Sequence, residues 1–247
     1  MFPLLKQLPS LWRTGFGLVF PEVCQLCKVE RAKASDGLVC PQCWTQVRFI
    51  RAPFCDRCGL PFAGDLTTQF VCTNCHELDL HFTSARSAVV AKTAVLEAIH
   101  RFKYSRALWF EPFLADLLLR EAVPVLRAGN WDGIIPVPLH PLKQREREFN
   151  QAELLARHLG AALNVPVETN ILQRISPTLT QTKLTREQRA QNMGGAFAVR
   201  EGVRLAGRKL ILLDDVFTTG ATTNACAKPL RAAGAAEVCV WTVARGL

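Results

Sequence analysis

The chain has 247 residues, 49% of them apolar and 21% charged, and its 30 Lys and Arg against 21 Asp and Glu give a net charge of +9. That composition excludes a mainly disordered chain, and the length is enough for a sizeable core in one or two domains. The positive balance favours partners bearing negative charge, such as nucleic acid, phosphorylated ligands or a membrane surface, without choosing among them.

The first residues, "MFPLLKQLPSLWRTGFGLVFPEVC", are apolar but interrupted by Lys6, Pro9, Arg13 and Gly15. No small-residue cleavage pattern follows, so the stretch reads as a lead-in and not as a signal peptide. Nothing later approaches the ~18 uninterrupted apolar residues of a spanning helix. A cytoplasmic protein with reduced thiols and no membrane span is therefore expected.

Eight of the ten cysteines lie before residue 76, all in C-x-x-C pairs: Cys24/Cys27, Cys40/Cys43, Cys55/Cys58 and Cys72/Cys75. The gaps between pairs are 12, 11 and 13 residues. Each pair sets two sulfurs on one side of a tight turn, and two turns close a tetrahedron around Zn(II). Two structural zinc sites are expected. Spacing leaves open whether consecutive pairs share a metal or the pairs interleave, and His76 is read as a bystander. Four thiolates leave no open coordination position, so both metals are assigned to folding and not to catalysis.

From about Phe82 periodic apolar segments begin. "TAVLEAIHRFKYS" has apolar residues at Val95, Ala98, Ile99 and Phe102, one helix face. "LWFEPFLADLLLREAVPVLR" continues as a second helix, with Pro112 near its start and Pro124 near its end. "DGIIPVPL" reads as a short strand. "NQAELLARHLGAAL" reads as a helix opened by a capping box of Asn150 and Glu153, with Leu154, Leu155 and Leu159 on its core face. "VETNILQR" is a strand and "LTREQRAQN" a short polar helix ended by Gly194 and Gly195. "KLILLDD" is an apolar strand, "TTNACAKPLRAAG" a helix that Pro229 is expected to kink or shorten, and "EVCVWTVA" a last strand. His100, His140 and His158 have no partner spacing, and Cys226 and Cys239 read as small core residues. Strands alternating with helices imply an α/β fold with a mostly parallel sheet, whose ligands bind at the carboxyl ends of the strands.

Asp214 and Asp215 stand at such an end, followed by "VFTTGATT". Small residues there let backbone N–H groups converge at a helix N-terminus, and Thr218, Thr219, Thr222 and Thr223 add hydroxyls, which makes a phosphate cradle. The acids are suited to vicinal hydroxyls or a metal ion, so a ribose 5-phosphate satisfies both halves. The alternative is an ordinary acidic turn before a capped helix. The turn Val137–Pro138–Leu139 is a candidate for presenting N–H groups to pyrophosphate, with Lys143, Arg145 and Arg147 nearby, or these are solvated charges. The polar stretch from Thr180 to Arg189 is a candidate lid.

The apolar strand, two acids and T-T-G-x-T together resemble the phosphoribosyl-pyrophosphate (PRPP) motif of type I phosphoribosyltransferases. That resemblance implies Asp214 and Asp215 on the ribose hydroxyls as catalytic groups, Thr218, Thr219, Gly220, Ala221 and Thr222 around the 5′-phosphate, and Mg(II) bound with PRPP. "IIPVPLHPLKQREREFNQAELLA", "HRFKYS", "RISPTLTQTKLTREQRAQNMGGAF" and the cysteine pairs resemble the ComF family of competence-associated proteins. The likeness runs from about residue 18 to the C-terminus. It implies a lead-in at 1–20, a double zinc ribbon at 21–80 and a phosphoribosyltransferase-like domain at 81–247. Arg174, Thr180, Gln181, Arg189 and Asn192 match the family pattern, as do Lys103 and Tyr104, for which no role follows from the sequence. Glu148 departs from it, standing where the family usually has Gly. The functions implied are a PRPP-dependent transferase acting in DNA uptake or use, or a non-catalytic PRPP sensor or single-stranded nucleic-acid-binding factor. DNA or a DNA-processing protein is the implied partner.

Overall fold

The computed structural model describes residues 22–64, 70–175 and 195–247. The cysteine-rich part carries little regular structure: a 3-10 turn at Ala34–Asp36 and the short helices α1 (Pro41–Trp44) and α2 (Thr73–Glu77). Each of α1 and α2 starts directly after a cysteine, Cys40 and Cys72 being the N-cap residues.

Beyond it lie β1 (Ser84–Val90), α3 (Thr93–Tyr104), α4 (Glu111–Leu126), β2 (Gly133–Pro136), α5 (Pro141–Arg147) and α6 (Gln151–Leu163). The chain then forms β3 (Leu172–Arg174), β4 (Phe197–Val199), β5 (Lys209–Phe217), α7 (Ala221–Ala232) and β6 (Glu237–Arg245). Four strands make one parallel sheet in the order β1-β6-β5-β2, and β3 pairs with β4 in a separate antiparallel hairpin. The expected α/β fold with a parallel sheet is present.

Alternation along β5 sorts its side chains onto two cores. Ile211 and Leu213 pack with Phe102, Phe113, Leu117, Leu155 and Leu159 from α3, α4 and α6. Leu210 and Leu212 pack with Cys226, Ala227 and Leu230 of α7. The cysteine-rich part divides the same way: Cys24, Cys40 and Cys43 join the first core, Cys55, Cys58 and Cys72 the second. The Cys55/Cys58 turn is also hydrogen-bonded to the sheet, since Ala85 N–H donates to the Arg57 carbonyl at 2.7 Å.

Several elements differ from the sequence expectation. β1 and β4 carry no clear apolar period and were not expected; in β1 Ser84, Arg86 and Ser87 interrupt the apolar residues. The expected strand at "VETNILQR" is reduced to β3 plus an isolated bridge from Val167 to Ile134. Asn150 caps α6 through the Ala152 N–H at 3.0 Å, while Glu153 pairs with Arg157 and does not close a capping box. α7 runs from Ala221 to Ala232 through Pro229 without being shortened. The expected helix at "LTREQRAQN" and the candidate lid, with Thr180, Gln181, Arg189 and Asn192, lie outside the described residues. Among the described residues no helix is long and apolar enough to cross a membrane.

Candidate functional site

β5 does not stop before its acids; it continues through Asp214 and Asp215 to Phe217, with Asp214 in register with Thr242 and Phe217 with Arg245. Strand alternation therefore sends the two neighbouring carboxylates to opposite faces. Asp215 is 3% exposed and its Oδ2 lies 2.7 Å from Lys103 Nζ, at the end of α3. Burial alone would lower the Lys103 ammonium, but the charges of Asp215 and Asp214 hold it above its ordinary value. Lys103 was noted in the sequence without a role; its role here is to neutralise Asp215.

Asp214 is half-buried on the other face, and among the described residues no cation forms an ion pair with it. Burial first, and the adjacent Asp215 charge second, push its carboxyl up to about 7, with Lys103 opposing. Burial also raises the nearby Cys226 thiol, and the Asp214 charge adds to that shift. Arg174 on β3 is near enough to feel the Asp214 charge, and its guanidinium lies over the Phe197 ring, its cross-strand partner, at 5.3 Å.

Three residues separate β5 from α7. Gly220 takes φ +80°, and a Cβ on it would lie 2.7 Å from the Phe217 ring, so the tight exit from the strand requires glycine. Thr223 Oγ1 donates to the Gly220 carbonyl at 3.1 Å and Thr219 Oγ1 accepts from the Ala221 N–H at 3.4 Å. Thr218 remains exposed. The 12-residue α7 thus presents its first-turn amides beside Asp214, a place suited to an anion.

The segment after β2 supplies cations more than amides. The Val137 N–H donates to the Leu213 carbonyl at 2.8 Å and Pro138 has no N–H, so these two residues shape the turn without serving as donors. α5, not expected from the sequence, follows; His140 caps it by accepting from Leu142 N–H at 3.3 Å. Burial pushes the Lys143 ammonium down, and the charges of Arg147, Arg174 and Lys103 add to the effect. Lys143 thus feels the positive charges of Arg147, Arg174 and Lys103, a local excess that favours a polyanion. Arg145 lines a cleft of about 510 Å3 with Arg174 and Arg200.

Glu148 ends α5 in the left-handed region at φ +67° and pairs with Arg106 at 2.8 Å. Arg147 lies over the ring of Tyr104, the single tyrosine, at 5.0 Å. The end of α3 thus fixes both Asp215, through Lys103, and the C-terminus of α5, through Tyr104.

The cysteines fall into two four-sulfur sets of consecutive pairs: Cys24, Cys27, Cys40 and Cys43, then Cys55, Cys58, Cys72 and Cys75. His76 belongs to neither set. A Zn–S bond of about 2.3 Å sets tetrahedral sulfur–sulfur edges of about 3.8 Å, against about 2.05 Å in a disulfide. The Sγ separations are 3.7 Å for Cys24–Cys43 and 3.8 Å for both Cys27–Cys40 and Cys58–Cys72. Both sets fit a zinc tetrathiolate. Backbone N–H groups complete the surroundings: Cys40 donates to Cys24 Sγ at 3.4 Å and Cys72 to Cys55 Sγ at 3.3 Å. Burial raises the Cys24 thiol, but the N–H groups of Cys27, Cys40 and Leu26 overcome burial and lower it, whereas burial prevails at Cys40 and Cys43 of the same set.

A match to the double zinc ribbon domain family covers residues 16–76. Competence protein F of Haemophilus influenzae is 32% identical over 229 residues, covering 90% of this chain and 96% of that protein. DNA utilization protein YhgH of Escherichia coli is 30% identical over 233 residues, covering 93% of this chain and 100% of that protein. A solved purine phosphoribosyltransferase from Pyrococcus horikoshii aligns with 54% of this chain and 83% of its own, at 17% identity and a TM-score of 0.34.

Proposed function

The chain belongs to the ComF family, that of competence protein F and YhgH, and from this premise we propose that it binds PRPP with magnesium at the turn from β5 to α7. The observation that carries the reading is the asymmetry of the two acids. Asp215 is neutralised by Lys103, whereas Asp214, beside the α7 N-terminus, has no ion-pair partner among the described residues and holds its proton against burial. A cation or a pair of sugar hydroxyls compensates a buried carboxylate, whereas a phosphate anion repels it.

The remaining groups take the other parts of such a ligand. The amides of Ala221 and Thr222, with Thr218 and Thr219, hold the 5′-phosphate. Lys143, Arg147 and Arg174 meet the pyrophosphate, whose negative charge grows as its bond to the sugar breaks. Magnesium, when bound, neutralises part of that charge. Asp214 orients the sugar and Lys103 keeps Asp215 from repelling the ligand's phosphate groups. The two four-cysteine sites serve folding, one packed into each of the two cores. We propose that this ligand binding serves the uptake or use of DNA, with single-stranded DNA or a DNA-processing protein as the partner; the names of the two relatives, competence protein and DNA utilization protein, support that reading.

Thermal unfolding tests the binding. With magnesium present, PRPP raises the midpoint in a concentration-dependent way, as a ligand selective for the folded state must. An unchanged midpoint at millimolar PRPP contradicts the reading.

A further inference from the structure

The second four-cysteine site and the phosphate turn are joined at both ends of that turn. On the entry side is Arg245, the last residue of β6, 5% exposed. Its guanidinium donates to the Cys58 carbonyl, and its Nη2 lies 3.4 Å from Cys58 Sγ. The same guanidinium lies over the Phe217 ring at 4.7 Å, the ring against which Gly220 makes its tight exit. Gly246 N–H donates to the Phe217 carbonyl at 2.9 Å, and Gly246 sits against the side chain of Thr218.

On the exit side is Asn224, in the first turn of α7. Its Oδ1 accepts from the His81 N–H at 2.7 Å and its Nδ2 donates to the Asp79 carbonyl at 2.9 Å. Residues 79–81 directly follow Cys75 and α2. A cavity of about 200 Å3 between the two sites is lined by Cys58 and Cys75 on one side and by Thr218, Thr219 and Arg245 on the other. The first four-cysteine site packs in the other core, against α4, and makes no such bridge among the described residues.

We infer that Arg245 is a positioning residue that couples metal occupancy of the Cys55/Cys58/Cys72/Cys75 site to anion binding at the Phe217–Ala221 turn. The inference rests on the phosphate-binding reading of that turn. A metal ion draws the four sulfurs together and fixes the Cys58 carbonyl and thiolate that orient Arg245. Arg245 in turn fixes Phe217 and the start of the turn. Groups of this kind, bonded to a metal's ligands, contribute about 10- to 100-fold to metal affinity. Coupling between two bound states is reciprocal, so an anion held by the turn must retain the metal by the same factor that the metal favours the anion.

The test uses the full chain loaded with two zinc ions, an excess of a chromogenic chelator and ribose 5-phosphate as the probe. Two zinc ions leave the wild type, and saturating ribose 5-phosphate slows one of these releases about 10-fold and leaves the other unchanged. Arg245→Gln speeds that same release about 10-fold and abolishes its dependence on ribose 5-phosphate, while Arg245→Lys, which keeps the charge and one donor, restores part of both. Equal acceleration of both releases by Arg245→Gln shows a general loss of stability and overturns the inference. So does ribose 5-phosphate that binds the wild type by calorimetry yet leaves both releases unchanged. Absence of calorimetric binding to the zinc-loaded wild type overturns the phosphate-binding reading itself, and the coupling with it.

Discussion

Lys103 Nζ lies 2.7 Å from Asp215 Oδ2, and both side chains are largely withdrawn from solvent, at 18% and 4% exposure. This pair explains how a strand end can carry two adjacent acids: one is neutralised from the α3 side and the other is left for a ligand. Removing one partner of a buried pair leaves an uncompensated charge, whereas removing both does not. Lys103→Met is expected to lower the unfolding free energy by about 3 kcal/mol in urea titrations, and Lys103→Met/Asp215→Asn to recover most of it. A loss that is the same in the single and double variants argues against the pairing.

The raised Asp214 carboxyl makes the fold sensitive to pH. Its folded value, about 7, exceeds its ordinary value of 3.8, so the folded protein binds the proton more tightly than the unfolded chain. The stabilisation from that proton is complete below about pH 4 and is lost as pH rises through about 7. Asp214→Asn stays neutral throughout. Its unfolding free energy is expected to match the wild type near pH 4 and exceed it by on the order of 2 kcal/mol at pH 8. Parallel stability curves for the two proteins between pH 4 and pH 8 contradict the burial of this acid.

Glu148 occupies a left-handed position at φ +67°, which favours glycine. Its ion pair with Arg106 involves side chains 56% and 65% exposed, and such pairs contribute little. Glu148→Gly is therefore expected to stabilise the protein by roughly 0.5–1 kcal/mol in urea unfolding. Destabilisation by this change would show that the Arg106 contact outweighs the backbone strain.

Gly220 has the opposite character: its φ of +80° and the Phe217 ring 2.7 Å from a Cβ leave no room for a side chain. Gly220→Ala is expected to cost about 1–3 kcal/mol and to weaken ribose 5-phosphate binding by at least 10-fold in calorimetric titration. Wild-type affinity in this variant contradicts the assignment of the turn as the anion cradle.

The parts of this molecule legible in the sequence are those written in local spacing. The four C-x-x-C pairs gave the two four-cysteine sets, and the long apolar run ending at Asp214 gave the central strand and the turn that follows it. Spacing did not say which pairs share a metal; the Sγ separations did. β1 escaped because Ser84, Arg86 and Ser87 interrupt its apolar run, and α5 because seven mostly polar residues carry no helix period. Contacts between distant segments were not legible. Lys103 with Asp215, Arg147 with Tyr104 and Arg245 with Cys58 depend on how helices and sheet pack, which no local spacing records. The departure at Glu148 was visible as an unexpected residue, and its left-handed backbone supplies the reason glycine suits that place.

The most direct test of the central claim is calorimetric titration of PRPP, with magnesium, into the zinc-loaded wild type and into Asp214→Asn and Lys103→Met. The expected result is saturable binding by the wild type and loss of at least 10-fold in affinity in Asp214→Asn at a pH where that variant is the more stable protein. Lys103→Met is expected to bind more weakly than the wild type, because the Asp215 charge is then uncompensated and opposes the ligand's phosphates. Wild-type binding that Asp214→Asn leaves unchanged, or no heat from the wild type at all, would contradict the account.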